Sequence, residues 1–252
     1  MNNKEKIIGI ITATFLFLCV VLLIFFTRLK SENRLIDGII IQGANVLPKA
    51  EYLKFSRLNK GDLNKLSLFE IRQRFLPHKY LKNVDVEVTA DHKVYVHIEE
   101  KKFISTLINM GMMFLVSDDG ELTKVIDNTS ILDFPAFTNI RNYQKNGIER
   151  PDPREIEEAK RVLNSTKIID GRLYSELSEV NMRNGGEIIL SFSHLGMPVL
   201  FGRKNYLEKI AKLSALENKR EKFSALLQNS VYLDLRYENN VFIGYNEIVG
   251  IN

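Results

Sequence analysis

Val84-Asp85-Val86-Glu87-Val88, then Thr89-Ala90-Asp91-His92-Lys93, then Val94-Tyr95-Val96-His97-Ile98-Glu99: the fold is decided by this run of residues 84–99. Valine and isoleucine recur at every second position on both sides of a short polar link. A period of two with one apolar face is the pattern of a half-buried strand, and Ala90-Asp91-His92 is short enough to join the two strands as a hairpin. Upstream, Ile36–Gln42 is β-branched and apolar until Gly43-Ala44-Asn45 interrupts it. Pro48 opens a helix from Lys49 to about Arg57, since proline in the first turn sacrifices no hydrogen bond. Gly61-Asp62 reads as a turn. Ser67-Leu68-Phe69-Glu70 has capping-box spacing, with Leu68, Ile71 and Phe75 on one face of a helix that Pro77 stops. Residues 36–103 therefore read β-α-α-β-β, a self-contained domain with two helices to cover one apolar sheet face.

Further upstream, Ile7–Thr27 runs for twenty-one residues without a charge. At about 1.5 Å per residue such a helix spans a hydrocarbon core of roughly 30 Å. A cleaved signal peptide would have a shorter apolar core of about 7–15 residues ending at a small-x-small site. Here the run is long and is followed by Thr27-Arg28-Leu29-Lys30, so an uncleaved membrane anchor is expected, with residues 1–6 as a tail and 28–35 as a polar stalk. Lys4 and Lys6 precede the anchor; Arg28, Lys30 and Arg34 follow it. The positive-inside bias is close to a draw, so charge leaves the orientation open. The single cysteine, Cys19, lies inside the anchor, and no disulfide can form in the remainder.

Downstream, residues 104–252 are β-rich. Ile104–Asn109, Met113–Ser117 and Glu121–Ile126 read as short strands with turns at Gly111 and Asp118-Asp119-Gly120, and Pro135 marks a bend. Asp152, Pro153 and Glu155 signal a helix start, with Ile156, Ala159, Val162 and Leu163 as its buried stripe. Strands are expected at 178–183, 187–192 and 198–201. A helix is expected from about Lys204 to Lys222, apolar along Leu207, Ile210, Leu213 and Leu216. Strands at 231–236 and 241–245 close the chain. The fold class is thus α+β.

Several chemistries are disfavoured. Charged residues make up 26% and hydrophobic ones 45%, ordinary for a globular chain, and a net charge of +4 mixed with acids gives no basic stripe for nucleic acid. The histidines His78, His92, His97 and His194 show no i, i+4 pairing, so no metal site is expected. No nucleophile elbow, P-loop or Gly-x-Gly-x-x-Gly occurs, and no cofactor is implied. Asp118-Asp119 and Glu99-Glu100 read as a solvated turn and strand-end charges rather than as an acid–base pair. The chain end stands out: Val241, Ile243 and Tyr245 share one face, Phe242 and Gly244 the other. If that strand lies at a sheet edge, its free N–H and C=O groups can accept a partner strand. An inner position is equally compatible with the sequence.

The arrangement resembles the FtsQ/DivIB family of bacterial cell-division proteins along nearly the whole chain. The carriers are Ile39–Asn45, similar to the family's apolar strand followed by Gly-Asn but with Ala44 inserted; Leu66–Ile71; Val94–Lys102; Phe114-Leu115-Val116-Ser117-Asp118-Asp119-Gly120, similar to a Leu-Val-Asp-x-x-Gly hairpin; Leu132–Phe137; Val199-Leu200-Phe201-Gly202-Arg203, similar to a Leu-Gly-Arg junction; and Leu233-Asp234-Leu235-Arg236-Tyr237 with Val241–Tyr245. Tyr80-Leu81-Lys82 replaces a usual Pro-Trp-Val, and the chain has no tryptophan. The resemblance implies a non-enzymatic scaffold of the division machinery. It implies a POTRA domain at 36–103, a cytoplasmic N-terminus and an extracytoplasmic C-terminal part at the division septum. It also implies that the final strand pairs with a strand of an FtsB-type subunit coiled with FtsL, so regulating septal peptidoglycan synthesis. Val241, Phe242, Ile243, Gly244 and Tyr245 would form the binding edge with Arg236 and Tyr237 beside it, and Arg203 would meet an acidic partner residue. Two other readings remain: a POTRA protein of another envelope export or assembly system, and a membrane-anchored envelope enzyme.

Overall fold

The structure is a computed structural model and describes residues 14–22, 36, 38–130, 133–219, 229–238 and 240–245. Among them no helix is long and apolar enough to cross a membrane. The expected span 7–27 lies outside the described residues except for 14–22, which are helical. The chain divides into two compact units at Glu100/Lys101, three residues before the boundary drawn from sequence.

The first unit holds β1 (Gly38–Gln42), α1 (Lys49–Ser56), α2 (Lys60–Leu63), α3 (Leu68–Phe75), β2 (Leu81–Val88) and β3 (Lys93–Glu100). The three strands form one sheet in the order β1-β3-β2. β1 runs parallel to β3 with Ile41 opposite Val96, and β2 runs antiparallel to it with Val86 opposite Val96. The link between β2 and β3 is a three-residue turn, closed by the Thr89 N–H donating to Lys93 O at 3.1 Å, with His92 in the left-handed region at φ 59. Gly61-Asp62 is not a simple turn but the middle of α2, capped reciprocally by Asn59 and Asp62. The Ser67/Glu70 box caps α3, where Ile71 and Phe75 are fully buried while Leu68 stays at the rim. Tyr52, Ile71, Phe75, Tyr80, Val84, Val94 and Val96 form the core. Burying each such large apolar side chain stabilises by about 1.5–3 kcal/mol.

Glu100, read from sequence as a strand-end charge, is the unit's main polar clamp. Its carboxylate accepts from the N–H groups of Asn45 (2.8 Å), Val46 (3.0 Å) and Leu47 (3.3 Å) and from the Tyr52 hydroxyl (2.5 Å). Three main-chain donors of the β1–α1 connection are thereby satisfied by one side chain. Burial, reinforced by the Glu100 charge, pushes the Tyr52 phenol well above its usual range.

The second unit is built on a nine-stranded mixed sheet. Its strands are β4 (Phe103–Asn109), β5 (Met112–Ser117), β6 (Leu122–Lys124), β7 (Ala136–Thr138), β10 (Leu177–Asn181), β11 (Ile189–Phe192), β12 (Val199–Leu200), β13 (Ser230–Asp234) and β14 (Phe242–Tyr245), in the order β14-β13-β12-β11-β10-β7-β4-β5-β6. A separate hairpin, β8 (Asn142–Lys145) with β9 (Ile148–Pro151), was not foreseen; its strands lack buried apolar alternation. The helices are α4 (Pro153–Ile169), α5 (Gly171–Glu176) and α6 (Tyr206–Glu217). Asp152 caps α4 as its sequence requires, and Ile156, Ala159, Val162 and Leu163 pack on the sheet residues Leu107, Phe137, Val180, Leu190 and Val199. On α6 the buried positions are Lys209, Ile210 and Leu213. Leu207, expected on the apolar side, is half exposed because it lies in the helix's first turn, beyond the sheet contact.

Candidate functional site

β13 is held in place by its neighbour: the Leu233 N–H donates to Pro198 O at 3.0 Å and the Leu235 N–H to Leu200 O at 2.8 Å. β14 then pairs antiparallel with β13, Asp234 facing Phe242, Leu233 facing Ile243 and Tyr232 facing Gly244. β14 ends the sheet order, so among the described residues no strand lies along its outer side. Alternation sorts its side chains. Val241 and Ile243 turn inward against the core of the unit, whereas Phe242 on the opposite face is 48% exposed; Tyr245, on the face of Val241 and Ile243, is also 48% exposed. The Phe242 ring meets the Tyr237 ring edge-on at 5.0 Å. Gly244 has a packing reason: a Cβ there would fall inside the Tyr232 ring, which lies across the strand. Tyr232, Tyr237 and Phe242, all substantially exposed, make a band of aromatic surface along this edge.

A cleft of about 340 Å³ adjoins this edge, lined by Glu187, Arg203, Lys204, Lys209, Arg236 and Tyr237. Gly202 turns the chain past it at φ +73, and a side chain there would come within 2.8 Å of Glu187 Oε2 and 3.2 Å of Lys209 Nζ. Four cationic groups and one carboxylate thus face a single opening. They are not equally available. Arg203, expected to meet a partner's acid, is engaged inside the unit. Its Nε donates to Gly186 O at 2.6 Å, its Nη2 to Glu155 at 3.1 Å and to Met182 O at 3.2 Å, and its Nη1 to Glu158. Tyr206 also donates to Glu158. Arg203 therefore ties the β12–α6 link to the first turns of α4, 45 and 48 positions earlier, a separation that no local motif announces.

Arg236 grips Asp234, which is 5% exposed, through Nη2 at 2.6 Å and Nε at 2.9 Å, and its own N–H donates to the same carboxylate at 2.9 Å. This hydrogen-bonded arginine holds the Asp234 carboxyl below the usual carboxylate range. The pair pins the exit of β13 while 41% of the Arg236 side chain stays in contact with solvent. Lys209 was not singled out from sequence. It is 4% exposed, and its Nζ donates to Phe201 O at 2.8 Å; burial pulls its ammonium below the usual lysine range, against the pull of Glu187 and Asp234. A desolvated ammonium in an open cleft is a strong attraction for an anion.

The described residues contain no group of three His, Cys, Asp or Glu side chains fit to hold a metal ion. A further acid–base group forms where His194 lies 3.1 Å from Glu217 and 3.6 Å from Glu176. The neighbouring Ser193 hydroxyl donates to Glu176. Asp119 closes its turn by accepting from the Ser117 hydroxyl and the Glu121 N–H.

A family model described as cell division protein FtsQ/DivIB, C-terminal, matches residues 107–236. The match takes in Arg203 and Arg236 and ends before β14. Among curated proteins, the cell division protein FtsQ of Geotalea daltonii is 22% identical over 212 residues, covering 82% of this chain and 74% of its own. That of Rickettsia felis is 24% identical over 255 residues, covering 95% and 88% respectively. Among solved structures, the major extracytoplasmic domain of the trans isomer of the cell division protein DivIB from Geobacillus stearothermophilus aligns at 15% identity with a TM-score of 0.32, covering 49% of this chain and 97% of that one.

Proposed function

The chain belongs to the FtsQ/DivIB family of cell division proteins, and from that membership we propose that it is a non-enzymatic scaffold which receives a partner's strand along β14. The occupant is an FtsB-type subunit coiled with an FtsL-type one, and the assembly modulates septal peptidoglycan synthesis. Residues 7–27 anchor the chain in the cytoplasmic membrane, N-terminus inside, with a POTRA-type first domain and the β-rich domain outside. The observation that carries this reading is that among the described residues no strand pairs with the outer side of β14, with Tyr237 and Phe242 packed edge-on beside it. Main-chain pairing there supplies affinity, and the aromatic band supplies an apolar anchor for alternate side chains.

The cleft adds charge selectivity. Arg203 serves as a positioning residue, because its guanidinium is consumed by Glu155 and Glu158. Arg236, Lys204 and Lys209 provide the positive potential for an acidic residue on the incoming strand. Family membership favours this reading over an export-system protein or an envelope enzyme.

Phe242→Lys is the direct test. It keeps a long side chain directed outward but replaces the exposed ring with a charge, so capture of the FtsB–FtsL pair should fall by at least about tenfold while the unit still melts cooperatively. Undiminished capture by that variant would sink the edge-strand mechanism. Arg203→Glu is a poor probe of binding, since it would set a third carboxylate against Glu155 and Glu158 and weaken the fold itself.

A further inference from the structure

The small sheet of the first unit also ends in two strands, and they are treated differently. β2 is guarded. It carries Lys82, Asp85 and Glu87, its register is irregular between Leu81 and Asn83, and its Val84 C=O accepts from Arg72 Nε at 2.6 Å. Charges, irregularity and a capped carbonyl are the devices by which edges resist further pairing. β1, Gly38-Ile39-Ile40-Ile41-Gln42, has none of them. It contains no charge and no proline, and it pairs with β3 over five consecutive residues without a break. Among the described residues no strand lies on its outer side. Ile39 and Ile40 are half-buried, and the Ile36 N–H, two residues before the strand, donates to Asn64 Oδ1 at 2.7 Å.

We infer that β1 is a self-pairing edge: two copies of this chain join antiparallel through it about a twofold axis at Ile40. The sequence of the strand argues for a second copy rather than a foreign one. Antiparallel pairing centred on Ile40 sets Ile39 against Ile41, Ile40 against Ile40 and Gly38 against Gln42, so that apolar meets apolar and no like charges oppose. An isologous contact needs a surface complementary to itself, which this strand is and the charged β2 is not. Five residues bury too little to hold two free proteins together. Only ten residues separate Thr27 from Gly38, so two copies anchored in one bilayer present their β1 strands close to the same surface, and tethering raises their effective concentration. That last step rests on the anchor reading above; the strand's self-complementarity does not.

Cross-linking tests it on the full chain. In a Cys19→Ser background, Ile40→Cys is reconstituted in phosphatidylethanolamine/phosphatidylglycerol vesicles and oxidised. Facing residues of an antiparallel pair lie about 4.5–5.5 Å apart at Cα, within disulfide range. Ile40→Cys should give about tenfold more covalent dimer than Lys82→Cys on the guarded edge. Gly38→Cys mixed with Gln42→Cys should link while neither links alone, and no heavy atom lies within 4 Å of the Cβ that Gly38→Cys would add. Dimer from Gly38→Cys alone would mean parallel pairing and overturn the proposal. Equal yields from Ile40→Cys and Lys82→Cys would overturn it too, leaving the edge to a different chain.

Flotation of the same vesicles reads the anchor separately, and repeating the oxidation in detergent, where the disulfide traps even a weak and transient pair, reads the strand without a bilayer. A chain that floats but shows no Ile40 dimer sinks the self-pairing alone. A chain that does not float yet dimerises in detergent sinks only the anchor. Ile40→Lys should abolish the association with the cooperative melt retained. If that variant fails to fold, the cysteine pattern still decides.

Discussion

β2 and β14 each close a sheet, yet different groups hold them there. On β2 the fastening is polar and reaches the main chain: Arg72 comes down from α3 onto the Val84 carbonyl, and its Nη2 takes Asn83 Oδ1 at 3.3 Å. On β14 the fastening is aromatic and leaves the main chain alone: Tyr232 lies over Gly244, and Tyr237 abuts Phe242. A polar clamp uses the same donors and acceptors that a further strand would need, so it closes an edge. A ring packed on a sheet face stabilises the outer strand through dispersion and burial and leaves its outward N–H and C=O groups available. The two units thus show two ways of stabilising a terminal strand, with opposite consequences for partnership.

The comparison breaks most visibly at the polar clamps. Glu100→Ala leaves the Asn45, Val46 and Leu47 N–H groups and the Tyr52 hydroxyl without their acceptor. It should lower the stability of the first unit by about 3 kcal/mol, read by denaturant melts. Glu99→Ala, whose partner Lys82 is likewise well exposed, should change stability by less than about 0.5 kcal/mol. Arg72→Ala is next. It should remove about 1.5 kcal/mol and also open the Val84 carbonyl, so sedimentation should detect new concentration-dependent association through β2. A variant that is destabilised but still does not associate would show that the charges on β2 suffice to guard it.

On the aromatic side the effects are smaller and fall on binding more than on folding. Gly244→Ala displaces the Tyr232 ring at about 1 kcal/mol of stability, and partner capture should weaken with it. Unaltered capture would show that Tyr232 supports the strand without shaping the docking surface.

The smallest effect is one of pH. His78 is 5% exposed, edge-on to Tyr52, Phe55 and Tyr80, with its Nδ1 accepting from the Tyr80 N–H. Burial lowers its folded pKa below the ordinary value of 6.5, although the Glu100 charge opposes the shift. The neutral ring is the form that folds, so its contribution is complete above pH 6.5 and declines as pH falls toward the lower folded value. The first unit should melt earlier at pH 5 than at pH 7, and His78→Gln should flatten that dependence.

Several elements were legible in the chain because their determinants are local. The 84–99 hairpin follows from alternation, α3 from the Ser67/Glu70 box and α4 from Asp152-Pro153 ahead of its apolar stripe. Where reading failed, a distant partner was responsible. Glu100 looked like a solvated charge because its four donors lie 48 to 55 positions earlier. Lys209 carries no local signal of burial, and its amine ends at Phe201 O in the loop before its helix. Nothing near Arg203 in the chain announces that Glu155 and Glu158, on another helix, take up its guanidinium. The β8–β9 hairpin lacks a buried face, so its strands carry no apolar period to read.

By itself the sequence determined the strands and helices that carry an apolar period, where the helices are capped, and which side chains of β14 share a face, since these depend on side chains a few positions apart. Only the tertiary structure decided the order of strands in each sheet and hence which strands are left at an edge. Every residue but proline offers the same main-chain donor and acceptor, so the residues of a strand do not state which neighbour it will take. That choice belongs to packing between segments far apart in the chain.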